Sequence, residues 1–343
     1  MLIIGVNGAQ LQAHEREWIR TPVVSGVILF TRNFVSRNQV TQLSADIRAL
    51  RDDAFLVCVD QEGGPVQRFR NDGFTRLPAL ARIGERHAAD PKLAVALAEE
   101  HAWLMAAEMR AIDIDISFAP VLDLARGNRI IGERSFDADP IVVSQLGLAY
   151  MRGMRLAGMA ATIKHFPGHG SVLEDTHVES AIDKRALEEI RATELVPFAD
   201  AIAAGADAVM MGHVTYSNVD AKPAGYSRIW IEDILRGEMK FHGVVFSDDI
   251  SMAAAEGAGG IGARITAHRD AGCDLVLVCK PDAVDEALTA HARSAPCDPA
   301  KVASLRGTAA QTWESLLGNP QRDKFLARIA ALTPLPVPAT SAL

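Results

Sequence analysis

A chain of 343 residues that is 49% hydrophobic can bury a large core, and its 26 glycines and 16 prolines are spread rather than clustered, which excludes a disordered protein. The formal charge of -8 comes without a basic block, so no nucleic-acid partner is expected, and no apolar run reaches the roughly 18 residues of a membrane span. Cys58, Cys273, Cys279 and Cys297 lie far apart without a C-x-x-C pair, and the N-terminus lacks the regions of a signal peptide, so a soluble cytoplasmic protein with buried, reduced thiols is expected.

Eight short apolar runs rich in β-branched residues follow one another: 2–6, 26–30, 55–59, 114–118, 159–163, 207–211, 243–247 and 274–279. They are continuous rather than alternating, which suits strands buried on both faces of a parallel sheet. Helical patterns lie between them. The stretch 91–111 carries Leu93, Leu97 and Leu104 on one stripe, and Asp183 is a candidate N-cap for a helix over 183–204 closed by Gly205. Ser227 would cap a helix over 228–239, and Pro281-Asp282 opens another after the eighth run.

Eight strand-helix units favour an α/β fold of the (β/α)8 TIM type over an open doubly wound sheet. The open sheet would show G-x-G-x-x-G after its first strand, and Val6-Asn7-Gly8-Ala9-Gln10 does not supply it. With no internal repeat or linker, the expectation is one catalytic barrel domain over 1–332 with a C-terminal helical extension, then a flexible tail over 333–343.

A barrel gathers its reactive groups in the loops that follow the strands. The third run leads into Asp60-Gln61-Glu62-Gly63-Gly64-Pro65-Val66-Gln67-Arg68, and the fourth, through Pro120 and Asp123, into 126–134. The fifth opens into Lys164-His165-Phe166-Pro167-Gly168-His169-Gly170 and then Asp175-Thr176-His177. The sixth ends in Gly212-His213 and the seventh in Ser247-Asp248-Asp249. Several of these also fit purely structural roles: Gly63-Gly64 a tight turn, Asp60 a cap, Arg134 a partner of Glu133 or Asp137, His213 a satisfied core histidine. Two adjacent acids after an apolar strand are harder to accommodate, since at least one must be hydrogen-bonded or paired with a cation. Strand parity does not choose between them.

His165 and His169 stand four apart, as in a zincin helix, but Pro167 and Gly168 would break such a helix. A metal-dependent barrel hydrolase using His165, His213 and Asp248 is an alternative, disfavoured by Lys164 and two arginines at the same mouth; no metal and no cofactor are expected. The same cations suit a hydroxyl-rich ligand, because Asp60, Arg68, Arg134 and Lys164 can divide donor and acceptor work around a sugar ring. Glycoside cleavage needs one group at the anomeric carbon and another to protonate the leaving oxygen. Asp248 is a candidate for the first, and the Asp175/His177 pair for the second.

Taken together, residues 59–64, 117–123, 132–136, 164–170, Asp175-x-His177 and Phe246-Ser247-Asp248-Asp249 resemble glycoside hydrolase family 3, and within it the bacterial single-domain β-N-acetylhexosaminidases, over about residues 1–280. The resemblance implies a barrel that removes terminal β-linked N-acetylglucosamine from 1,6-anhydromuramoyl peptides in cytosolic peptidoglycan recycling, with retention through a covalent glycosyl-enzyme. It puts the nucleophile on Asp248, the proton donor and acceptor on His177 with Asp175 beside it, and sugar contacts on Asp60, Arg68, Arg134, Lys164 and His165. His169 would shape the loop. The partner is then a small-molecule sugar and the chain a monomer. Gly225-Tyr226 departs from the small or hydroxylic residues usual there, with an effect expected only at the rim. A phosphorylase using inorganic phosphate, or a non-catalytic sugar-binding protein, are alternatives on the same fold.

Overall fold

The computed structural model describes residues 1–172, 181–292, 297–308 and 312–332, apart from the side chains of 253, 254 and 256. Eight parallel strands make one sheet: β1 (Leu2–Gly5), β2 (Val24–Leu29), β3 (Leu56–Val59), β4 (Ile116–Ser117), β5 (Thr162–Phe166), β6 (Ala208–Met211), β7 (Val244–Asp249) and β8 (Leu275–Val278). Their order is β4-β3-β2-β1-β8-β7-β6-β5. The two ends meet through a parallel bridge between Val121 and Lys164, with Leu122 N–H donating to the Lys164 carbonyl (2.8 Å) and Thr162 N–H to that of Ala119 (2.9 Å). The sheet thereby closes into the expected (β/α)8 barrel.

Continuous apolar strands follow from this closure, because each strand has a buried neighbour on both faces. Ile3, Ile28, Cys58, Ile116, Met210, Phe246 and Leu277 fill the barrel interior, where the rings of Phe118 and Phe246 meet edge-on at 5.2 Å. Alternate residues such as Leu2, Ile4, Val27, Val57, Val209 and Val245 face outward onto the helices. Burying each such side chain contributes about 1.5–3 kcal/mol, so the interior layer and the outer layer together hold the barrel closed.

Helix starts are written into the sequence as Asp-Pro pairs. Asp90 accepts from Leu93 N–H (3.0 Å) to open Pro91–Arg110, and Asp139 from Ile141 N–H (2.8 Å) to open Pro140–Leu156. Ser227 accepts from Trp230 N–H at 3.3 Å, at the start of the π-helical segment Ile229–Glu238. Asp183 does not cap a long helix. It sits in the short strand Ile182–Asp183 and pairs with Arg185, while the helix is split into Leu187–Ala192 and Leu195–Ala203. Pro197 explains the split: near the start of a helix it is harmless, but in the middle of a continuous one it would remove a hydrogen bond and clash with the preceding turn.

The C-terminal extension comprises Pro299–Ser304, Trp313–Leu317 and Pro320–Ala330. The last of these lies on Pro91–Arg110, with Trp103 against Phe325 (5.4 Å between ring centres) and Arg328 paired to Glu100 at 2.6 Å. The expected tail over 333–343 lies outside the described residues, among which no helix is long and apolar enough to cross a membrane.

Two local irregularities position the mouth. Along β5 and β6, Ile163 pairs with Val209 but Phe166 with Met211; along β7 and β8, Phe246 pairs with Leu275 but Asp249 with Leu277. Each mismatch is one extra residue, a bulge that re-aims the side chains around it. The fifth strand also runs three residues beyond the apolar run, so Lys164 and His165 belong to β5 rather than to the loop after it.

Candidate active site

A cavity of about 520 Å³ opens at the C-terminal ends of the strands, lined by Asp60, Glu62, Arg68, Arg134, Lys164, His165, Asp248 and Asp249 among others. Every candidate sugar contact and the candidate nucleophile are brought together there. Asp175 and His177 lie outside the described residues. Both acids of the Asp248-Asp249 pair reach the cavity wall, contrary to simple alternation, because the bulge intervenes.

On the side of β3 to β5 the charges form a closed network. Arg134 grips Glu62 with two parallel bonds of 2.8 Å each, Lys164 Nζ sits 2.6 Å from Glu62 and 3.0 Å from Asp60, and Arg68 reaches Asp60 at 3.2 Å. Burial would push both acids toward the protonated form, yet Lys164 and Arg68 hold Asp60, and Arg134 and Lys164 hold Glu62, below their ordinary pKa values. The reverse applies to Lys164, where burial disfavours the charge and Asp60 and Glu62 restore it. Asp60, Glu62 and Lys164 stay ionised, although Glu62 and Lys164 are each only 2% exposed. Arg134 therefore pairs with Glu62 and not with Glu133 or Asp137, and Asp60 is no cap.

His165 is oriented from behind. Its Nδ1 lies 2.7 Å from Asp123, whose carboxylate also accepts from the backbone N–H of His165 (3.2 Å) and of His169 (2.7 Å). Asp123 is fully buried and kept ionised, since His165 and His169 outweigh the cost of its burial. With Nδ1–H donated to Asp123, the Nε2 of His165 is left for a ligand. His169 itself is driven by burial to a pKa of about 4 and is neutral, consistent with a place in the loop's architecture.

Asp248 differs from every other acid at the mouth. Among the described residues its carboxylate accepts only the backbone N–H of Asp249, at 2.7 Å, and no side chain hydrogen-bonds to it. Burial raises its pKa, but His165, His213, that N–H and Lys164 together bring it below the ordinary value, so it is ionised. Asp249 is instead tied down by Ser251 Oγ (2.5 Å), Ser251 N–H (3.0 Å) and Cys279 N–H (3.3 Å). His213 is fully buried and neutral, with burial lowering its pKa, and its Nε2 lies 3.1 Å from the Asp249 carbonyl. It supports the peptide next to Asp248 and does not line the cavity.

Two members of this site had no role assigned from sequence, Glu62 and Asp123. The signal for Glu62 was its place two residues after a strand-end acid, and for Asp123 its place in a polar break after the fourth run. Gly225-Tyr226 proves to be a packing feature away from the cavity. A Cβ on Gly225 would come within 2.6 Å of the His268 ring, whose Nδ1 lies 2.8 Å from the Gly225 carbonyl. Tyr226 and Lys222 edge a larger outer groove of about 820 Å³, lined mainly by alanine and glycine and lacking a convergent set of acids. Among the described residues no three His, Cys, Asp or Glu side chains converge as metal ligands would.

A barrel whose mouth carries matched acids and cations around one carboxylate that has no side-chain partner among the described residues has the makings of an enzyme for hydroxyl-rich ligands. Comparison with known proteins gives the class. The profile of the glycosyl hydrolase family 3 N terminal domain matches residues 1–301. A β-hexosaminidase of Stenotrophomonas maltophilia (strain R551-3) is 60% identical over 319 residues, covering 93% of this chain and 95% of the relative. One from Xanthomonas axonopodis pv. citri (strain 306) is 56% identical over the same shares. The crystal structure of NagZ from Neisseria gonorrhoeae in complex with N-trifluoroacetyl-D-glucosamine is similar with a TM-score of 0.90 and 39% identity, covering 96% of this chain and 97% of that one. The protein is a glycoside hydrolase. It belongs to glycosyl hydrolase family 3.

Proposed function

We propose that the protein is a retaining exo-β-N-acetylglucosaminidase that releases terminal β-linked N-acetylglucosamine from 1,6-anhydromuramoyl peptides during cytosolic peptidoglycan recycling. The observation that carries this reading is the Asp248 carboxylate, ionised inside the mouth cavity and without a side-chain partner among the described residues. The β-hexosaminidase names of the relatives, and the N-acylated glucosamine held by the gonococcal protein, support the choice of glycone. The reading needs one chain only, since Asp60, Arg68, Arg134, Lys164, His165 and Asp248 all come from it.

In this mechanism Asp60 accepts hydroxyl protons of the sugar, Arg68, Arg134 and Lys164 donate to its oxygens and His165 Nε2 accepts from a hydroxyl, so the ring is fixed with C1 toward Asp248. An Asp248 oxygen forms a bond to C1 as the C1–O bond to the aglycone breaks, and His177, held as an imidazolium by Asp175, gives its proton to the departing oxygen. Neutral His177 then takes a proton from water, which attacks C1 and restores the Asp248 carboxylate. Two displacements at C1 leave its configuration unchanged.

Incubation with a 5-fluorinated N-acetylglucosaminyl fluoride tests this, because the ring fluorine slows both steps while the anomeric fluoride, a good leaving group, keeps the first fast enough for the intermediate to accumulate. The expected result is a covalent adduct on the peptide containing Asp248, and free N-acetylglucosamine rather than its 1-phosphate as the product of turnover in phosphate buffer. An adduct on another residue would overturn the nucleophile, and a sugar phosphate would make the protein a phosphorylase.

A further inference from the structure

The loop that carries Arg68 does not rest on the barrel alone. After the hairpin of Gln61–Gly63 and Val66–Gln67, two glutamines hold its backbone. Gln61 Oε1 accepts from the N–H groups of Arg68 (2.9 Å) and Phe69 (3.1 Å), and Gln67 Nε2 donates to the carbonyls of Phe69 (2.9 Å) and Thr75 (2.7 Å). Arg68 itself makes one bond of 3.2 Å to Asp60 and stands over the Phe30 ring at 5.3 Å, and among the described residues its buried Nε has no hydrogen-bond partner. Where the guanidinium sits is set by where the loop sits.

The far end of that loop is held by the C-terminal extension. Glu108, on Pro91–Arg110, accepts from the Thr75 N–H at 2.9 Å and from the Thr75 hydroxyl, and Arg322 Nη2 lies 3.6 Å from the same carboxylate. Glu108 is 1% and Arg322 9% exposed, so little water competes for the pair. Trp313 meets Phe74 edge-on at 5.0 Å, and Phe74 stands in a cluster with Phe69 and Phe34. Gly73 turns over the indole with φ 93°, and a Cβ there would lie 3.2 Å from the Trp313 ring. Both Trp313 and Arg322 lie beyond residue 301, where the family match ends.

We propose that the C-terminal extension is part of the sugar-binding apparatus, with Trp313, Arg322 and Glu108 as positioning residues that set the loop presenting Arg68 beside Asp60. The inference rests on the reading of Arg68 as a sugar contact. Losing such a support loosens binding of ground state and transition state alike, so it raises KM and leaves kcat nearly unchanged. A merely structural role would not produce that split.

The same two helices supply a control. Arg328 pairs with Glu100, eight residues from Glu108 and so about 12 Å along the helix, away from the loop. Full-length variants are compared on an aryl β-N-acetylglucosaminide, well below their unfolding temperatures, together with the dissociation constant of N-acetylglucosamine. Trp313→Ala and Arg322→Ala are expected to raise both KM and that constant about fivefold with kcat within about twofold of the parent. Trp313→Phe and Arg322→Lys are expected to restore most of the loss, and Arg328→Ala to lower the melting temperature with KM unchanged. If either alanine variant fails to fold, its conservative partner and Glu108→Gln are read against Arg328→Ala in the same way. KM values no higher than that of Arg328→Ala would overturn the inference. Arg68→Ala, measured alongside, separates the two ideas: an unchanged KM there removes Arg68 from the sugar contacts and the inference with it. A raised KM in Arg68→Ala with none in the extension variants removes the inference alone.

Discussion

On the side of the mouth built by β3, β4 and β5, each carboxylate is answered: Glu62 by Arg134 and Lys164, Asp60 by Lys164 and Arg68, Asp123 by the His165 ring. On the side built by β6 and β7, Asp249 is bound by Ser251 and the Cys279 N–H, while Asp248 beside it accepts, among the described residues, only a backbone N–H. The first side spends its hydrogen bonds on geometry, which lets it present fixed donors and acceptors without rearranging when a ligand arrives. The second leaves carboxylate lone pairs unshared. A nucleophile needs that, because each hydrogen bond to a carboxylate oxygen lowers its readiness to form a new bond.

If this division is correct, neutralising one acid on each side has different consequences. Asp248→Asn is expected to lower kcat/KM on the order of 10⁴-fold with only a small loss of stability, since among the described residues no side chain hydrogen-bonds to this carboxylate and none is left without its partner. Activity near that of the parent would sink the assignment of Asp248. His177→Ala should cost about 10²–10³-fold on substrates with poor leaving groups and far less on an activated aryl glycoside, because proton donation matters only when the leaving oxygen is basic. Equal losses on the two substrates would argue against His177 as the proton donor. Glu62→Gln should destabilise the fold by about 3 kcal/mol in denaturant unfolding, because Arg134 and Lys164 lose the charge that compensates their burial. Equal unfolding free energies for Glu62→Gln and Asp248→Asn would erase the contrast between the two sides.

The barrel was legible because a parallel sheet covered by helices buries both faces of its strands and leaves continuous apolar runs, and eight such runs alternating with helical patterns suit closure. Strand ends were read less well at the mouth. In β5 the apolar run stops at Ile163, but the backbone pairs on through Lys164 and His165 to Phe166, since polar side chains can continue a strand when a cavity receives them. The candidate contacts Asp60, Arg68, Arg134, Lys164 and His165 could be picked out as polar residues after apolar runs, a local signal. Glu62 and Asp123 could not be given roles that way, because their partners Arg134 and His165 lie 72 and 42 residues away. Parity left Asp248 and Asp249 unresolved for a physical reason: the bulge in β7 cancels the alternation that parity assumes.

The smallest expected effect is the response to acid. Asp60 and Glu62 have folded-state pKa values below their unfolded ones, so their stabilisation is complete above the ordinary carboxylate range and is lost only as the pH falls beneath it. His213 and His268, under β6 and β7, are neutral in the fold because burial lowers them from 6.5, and His101 and His169 are lowered to about 4. Their contribution is present above pH 6.5 and erodes as the pH falls from there, when the unfolded chain takes up protons that the fold refuses. Glu108 works against this, since burial raises it to about 7 and it favours the fold as the pH falls through that value. Four histidines outweigh it, so unfolding free energy should decline between pH 6.5 and 4, before the network of Asp60 and Glu62 is touched. His268→Asn can keep the donor to the Gly225 carbonyl while removing one titrating ring, and should flatten the decline by on the order of 1 kcal/mol per pH unit. Parallel curves for parent and variant would mean that His268 takes up its proton as readily in the fold as out of it, and that its burial contributes nothing to the decline.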